Sequence, residues 1–276
     1  MHNSIRIRNN LLHYTCVQRR LFMNQYHSNN IAHIVSIGLR VKNIVKTAKF
    51  YQNLLHLDII EQNNIKIVLG ISEKPLITLV KANNIQRKLE EGLYHVAYLL
   101  PNFETLGAWL HHALEQGFHL SGASDHLVSK AIYLEDPDGN GIEVYADSDE
   151  NTWVYQKDQI KMITAQLDID EILRNRNDVE RFQPVIGHVH LAAKDNRKVA
   201  QFYKELGMGI MLDMGSAIFM SYGKYHHHLG INNWNMHQAH NYQKDSVNID
   251  FMSIYSKAPT ENKELTDPIG IKINII

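Results

Sequence analysis

The sequence predicts an α+β fold of four tandem βαβββ modules, the fourth truncated, forming two half-barrel domains of mixed sheet. Three observations predict it. Residues 34–60 (IVSIGLRVKNIVKTAKFYQNLLHLDII) and 186–212 (IGHVHLAAKDNRKVAQFYKELGMGIML) each read as an alternating strand, a helix with apolar residues at helical spacing, and a second apolar strand. Phe50-Tyr51 and Phe202-Tyr203 hold matching places in the two helices, at an offset of 202 − 50 = 152. A second type of unit starts at Gly92 and closes on the turn DPDGNG; a counterpart starts near Val247 and closes on DPIG.

Taken in order, residues 1–30 form an extension whose first 22 residues carry Arg6, Arg8, Arg19 and Arg20 and no acid, the first acidic residue of the chain being Asp58. This resembles a weak transit peptide less than a disordered extension, or a start placed ahead of a true Met23. The first domain, 31–146, holds modules one and two. In module two the strand GLYHVAYLLP precedes the helix FETLGAWLHHALEQG, with Phe103, Leu106, Trp109, Leu110 and Ala113 on one stripe, and a closing hairpin follows. Asp136, Pro137, Asp138 and Gly139 are turn chemistry: Pro presets φ, Asp caps, and Gly permits positive φ. A polar connector spans 147–183, and the second domain, 184–276, holds module three and the short module four. His95 to Glu143 is 48 residues, whereas the matching Phe251 to Asn274 is 23; the shortfall of 25 removes a helix and a strand.

Composition narrows the function. With 44% apolar residues among 276, the chain can build a core. Its 28 basic and 29 acidic side chains leave a formal charge of −1, which offers no electrostatic case for nucleic acid or an anionic membrane surface, so a small-molecule partner is expected. No apolar run approaches the roughly 20 residues that span a bilayer. A single cysteine, Cys16, excludes a disulfide framework and a cysteine-built zinc site and suits a cytoplasmic location. Histidine, at 17, is unusually frequent.

Glu143 stands between Ile142 and Val144 in an apolar strand, where a carboxylate is costly unless compensated. Strand alternation puts Leu93, His95 and Ala97 on one face, and His188 with His190 on another strand's face. Each histidine alone reads as an ordinary hydrogen-bonded core residue, and Glu143 alone as an edge-strand acid. Together they fall at defined module positions, histidine on a first strand twice and glutamate on a last strand once. Two imidazoles and one carboxylate are the donor set of a facial Fe(II) site, and a dication compensates the buried acid.

With these residues in place, the chain resembles the vicinal oxygen chelate superfamily, and within it the two-domain, catechol 2,3-dioxygenase-like class I extradiol enzymes. The likeness lies in GLYHVAYLLP, SDHLVSKAIYLEDPDGNGIEVYAD, IGHVHLAAKDNRKVAQFYKELG and YGKYHHHLGINNW, and covers about residues 31–255. It implies His95, Glu143 and His188 as ligands of Fe(II), with an aromatic diol and O2 as partners. It implies His227 as the acid–base residue, with His226 and His228 one position away, and His126 and Tyr133 as substrate-positioning residues. Mn, Zn or Ni would indicate the alternatives on this fold, a glyoxalase-like isomerase or a thiol transferase. A non-catalytic drug- or aromatic-binding protein is the third reading.

The chain departs from the family's usual order. Module two carries His95 and Glu143 while module three carries His188; the matching places in modules one and four hold Ser36, Phe251 and Asn274. If neighbouring modules paired, the ligands would be split between two incomplete sites. The expectation is therefore a crossed pairing, two with three and one with four. Strand edges left bare by the short fourth module suit a homo-oligomer.

Overall fold

The computed structural model describes residues 25–86, 88–257 and 263–276. The basic run at 1–22 and the expectations attached to it lie outside the described residues. Of the extension, Gln25–His27 form a 3-10 turn whose His27 is buried.

Module one is β1 (His33–Val41), α1 (Ile44–Leu55), β2 (Asp58–Gln62), β3 (Lys66–Ile71) and β4 (Lys74–Lys81). Module two is β5 (Gly92–Leu100), α2 (Phe103–Glu115), β6 (Leu120–Asp125), β7 (Ser129–Glu135) and β8 (Gly141–Asp147). The connector contains β9 (Tyr155–Gln156), β10 (Gln159–Ile160), β11 (Ala165–Gln166) and α3 (Ile169–Arg174). Module three is β12 (Val185–Ala192), α4 (Asn196–Glu205), β13 (Gly209–Asp213), β14 (Ala217–Ser221) and β15 (Leu229–Asn232). Module four keeps β16 (Asn248–Tyr255), β17 (Lys263–Thr266) and β18 (Lys272–Ile275), and no helix among its described residues.

The repeat extends to the helix starts. Asn43 caps α1 by accepting from the Val45 and Lys46 amides, and Asp195, again 152 positions on, caps α4 by accepting from the Lys198 amide. Each side chain satisfies amides that the first helical turn leaves without a partner. Both helices then bury one stripe, with Ala48, Tyr51 and Leu54 in the first and Val199, Ala200 and Tyr203 in the second.

Two sheets result. A nine-stranded sheet runs β11-β6-β7-β8-β5-β12-β15-β14-β13, and a seven-stranded sheet runs β17-β18-β16-β1-β4-β3-β2. Modules two and three thus share one sheet through the antiparallel seam β5–β12, and modules one and four share the other through β1–β16. This is the crossed pairing that the ligand distribution calls for.

The seven-stranded sheet has no counterpart of the candidate ligand set at its matching described positions. Phe251 on β16 stands opposite Gly38 on β1, and a Cβ at Gly38 would lie 2.4 Å from the Phe251 ring, so the aromatic side chain occupies that space. In the nine-stranded sheet the same place on β12 holds His190, opposite His95.

Candidate functional site

The geometry begins in the register of four adjacent strands. Glu143 on β8 pairs with Tyr133 on β7 and with Ala97 on β5, and Ala97 pairs with His188 on β12. His95 lies two residues before Ala97, on the same face of the strand. The small Ala97 leaves room above it for three longer side chains to converge. Shifts in register between Ile186 and His188 and between His190 and Leu191 re-aim β12 there. Gly141 lets β8 and β5 approach: a Cβ at that position would meet the Tyr94 carbonyl at 2.3 Å.

His95 Nε2, Glu143 Oε2 and His188 Nε2 form a compact triangle with edges of 3.1 Å (His95–Glu143), 3.5 Å (His188–Glu143) and 3.3 Å (His95–His188). Among the described residues this is the one cluster of three such groups whose donor atoms could hold a single ion, and all three are buried. Ligands about 2.1 Å from an ion and at right angles to each other stand roughly 3 Å apart, which fits the triangle. The donor set fits too. Burial pushes the His188 imidazole down to about 4 against the pull of Glu143, so the ring is neutral and offers a lone pair. Burial by itself would raise the Glu143 carboxyl, but His188 and His95 beside it hold it well below the usual carboxylate range. A neutral imidazole and an ionised carboxylate are the forms a divalent ion requires.

The cluster opens into a cavity of about 630 Å³. His227 lines it, with its ring centroid 4.1 Å from that of His188. Burial, then the neighbouring His188 and His226, press the His227 pKa well below its ordinary value. Its two neighbours turn away. His226 reaches Asp147 at 2.8 Å, while His228 reaches Ser221 Oγ at 2.9 Å and the Tyr26 carbonyl at 3.0 Å.

Tyr133 and His126 stand on the opposite wall, joined by a 2.6 Å hydrogen bond between the phenol oxygen and Nε2. His126 Nδ1 lies 2.6 Å from the Ile163 carbonyl, which can only accept, so Nδ1 carries the proton and Nε2 accepts from the phenol. Burial, and next the Glu143 charge, raise the Tyr133 pKa and keep the phenol protonated.

Several lining residues were not singled out in the sequence. His190 borders the cavity with Nε2 3.2 Å from Asn232, and Gly230 makes room for its ring, since a Cβ there would stand 2.8 Å from Cδ2. The HVH alternation was the available signal, because it puts His190 on the His188 face. Tyr94 and Trp234 stack edge-on against His190 at 5.1 and 5.6 Å, and Met162 and Ile163 reach the cavity from the connector. No local pattern marks these, as the tertiary fold alone brings them to the site.

Residues 30–144 match the family described as the Glyoxalase/Bleomycin resistance protein/Dioxygenase superfamily. A protein of Bacillus subtilis (strain 168) described as catechol-2,3-dioxygenase is 35% identical over 214 residues, covering 73% of this chain and 75% of its own. The chain belongs to this superfamily, also called the vicinal oxygen chelate superfamily. Solved structures share the fold at low identity. A Bacillus subtilis protein titled as a putative dioxygenase superposes with a TM-score of 0.59 at 13% identity, over 88% of this chain and 84% of its own. Glyoxalase I from Zea mays gives 0.54 at 14%, over 88% and 92%. No helix among the described residues is long and apolar enough to cross a membrane.

Proposed function

We propose that this protein is an Fe(II)-dependent extradiol dioxygenase that cleaves the ring of catechol or a related vicinal aromatic diol. The observation that carries the reading is the buried His95–Glu143–His188 triangle, open on one side to a cavity that also presents His227 and the Tyr133–His126 pair. The relative described as catechol-2,3-dioxygenase supports the choice among reactions known to this fold.

In this reading His95, Glu143 and His188 hold the ion, which supplies Lewis acidity and the redox chemistry of ring cleavage. The chain's own residues bind the diol and handle its protons. Because the Tyr133 proton points to His126, the phenol oxygen turns its lone pairs to the cavity and accepts a hydrogen bond from a substrate hydroxyl. His227 takes the proton released as the diol binds and returns it during ring opening, a general acid–base role. Phe219 and Trp234 give the ring apolar walls. Among the described lining residues none is lysine or arginine, so no permanently charged side chain there pairs with a carboxylate on the substrate, which favours an uncharged ring.

The test is anaerobic loading with Fe(II), then addition of catechol and air, with absorbance followed for the yellow ring-cleavage product. Yellow product, at a rate that collapses in His188→Ala, is the expected result. Full Fe(II) loading without product from catechol or its alkyl and aryl derivatives would overturn the reading, and turnover of a thiol adduct instead would place the chain with the isomerases or transferases.

A further inference from the structure

His226 does not line the cavity, yet it is held more tightly than packing alone requires. It is fully buried, with its ring centroid 4.0 Å from that of Tyr225 and 5.3 Å from that of Trp153. Its Nε2 stands 2.8 Å from Asp147 Oδ1, and its Nδ1 stands 2.8 Å from His227 Nδ1. Asp147 is fixed in turn: the Tyr225 hydroxyl donates to the same oxygen at 3.1 Å and lies 2.7 Å from the Tyr145 hydroxyl. Asp147 ends β8, four residues past Glu143 and on the same face of that strand, so one strand delivers both acids.

Donor and acceptor counting leaves one arrangement for neutral rings. The Asp147 carboxylate can only accept, so His226 carries its hydrogen on Nε2. His226 Nδ1 is then a bare lone pair. Two nitrogens 2.8 Å apart need one hydrogen between them, and His227 Nδ1 must supply it. The remaining nitrogen of His227, Nε2 on the far side of the ring, carries no hydrogen and is the one left for the cavity that His227 lines.

We propose that Asp147 and His226 are positioning residues that lock His227 in the Nδ1–H tautomer, with a basic Nε2 presented to substrate. The catalytic consequence rests on the acid–base role given to His227 above, whereas the tautomer does not. An imidazole without such a partner exchanges its hydrogen between both nitrogens and spends only part of its time as the required base, because the bond made by one nitrogen sets the state of the other. Aspartate-to-histidine orientation of this kind acts through the wrong-tautomer penalty rather than through charge transfer.

The test reads tautomer and turnover separately. In the full, metal-free chain labelled with 15N-histidine, His227, assigned by the signal missing from His227→Gln, should show a protonated Nδ1 and a bare Nε2. In His226→Phe, which keeps an aromatic ring but removes the acceptor, His227 should show averaged nitrogen shifts. After Fe(II) loading, kcat should fall about 10- to 100-fold with KM and iron content unchanged, the range that loss of an orienting partner produces. Asp147→Leu should give the same split. A wild-type His227 with its hydrogen on Nε2, or a folded His226→Phe with wild-type tautomer and kcat, would overturn the proposal. Should His226→Phe fail to fold, the wild-type spectrum still decides. A wild type with no dioxygenase turnover would sink the function assigned above and leave the tautomer assignment standing.

Discussion

Glu143 faces two imidazoles and no basic side chain, so its substitution separates metal binding from folding. In Glu143→Gln we expect Fe(II) or Zn(II) affinity, read by calorimetric titration, to fall on the order of 100-fold or more, since a ligating charge is lost and not merely an outer partner. The metal-free variant should still fold, at a melting temperature lowered only by the loss of the carboxylate's contacts with His95 and His188. An unchanged affinity would mean that the ion binds elsewhere. Tyr133→Phe removes only the hydroxyl that donates to His126. It should retain full iron content while kcat drops about 100-fold, the usual scale for one positioned proton-handling group; wild-type turnover would remove Tyr133 from the mechanism.

At the scale of elements, the two copies of the β-α-β unit make a paired prediction. Asn43 and Asp195 cap equivalent helices, so Asn43→Ala and Asp195→Ala should each lower stability by about 1 kcal/mol in urea unfolding while leaving metal affinity alone. A cost confined to one of them would mean that the repeat is not energetically equivalent. These elements were legible in the sequence because the helix and strand periods, the FY pair and the DP turns are local. The convergence of His95, Glu143 and His188 was legible for a different reason: three chemically unusual residues occupied repeated module positions, and only one pairing of modules could bring them together. The HVH alternation put His190 on the His188 face, but what local pattern could not supply is visible in how His190 and Trp234 reach the cavity together. Their place at the cavity depends on β12 and β15 lying side by side, with Gly230 beneath the imidazole ring. Likewise Met162 and Ile163 read as part of a polar connector, yet β11 pairs with β6 and brings that stretch to the site.

At the scale of the whole molecule, the site sits on the seam β5–β12 where the two halves of the chain join, so acid should weaken fold and site together. His27, in the turn before β1, is buried against module three: its Nε2 donates to the Gly187 carbonyl at 2.9 Å, and its Nδ1 has no hydrogen-bond partner. Burial pushes its pKa down to about 4. The folded state therefore keeps His27 neutral at pH values where the unfolded chain, near 6.5, takes up a proton. Between about 6.5 and 4 the unfolded state binds more protons, so stability rises with pH there: the contribution is fully present above 6.5 and lost as pH falls to 4. It is on the order of 3 kcal/mol for this one residue. We expect the urea midpoint of the metal-free protein to fall from pH 7 to pH 5, and His27→Gln, which can still donate to Gly187, to make that dependence shallower by the His27 share, with the buried His188 and His227 supplying the rest. Equal slopes for both proteins would show that His27 is not a sensor.

The proposal that the His95–Glu143–His188 triangle holds an ion underlies everything proposed for the cavity. Its most direct measurement is the iron content of the purified chain after anaerobic loading and desalting, compared with that of His95→Ala, Glu143→Ala and His188→Ala. One iron per chain in the wild type and none in each variant is the expected result. A wild type that retains no iron, or variants that retain as much as the wild type, would contradict it.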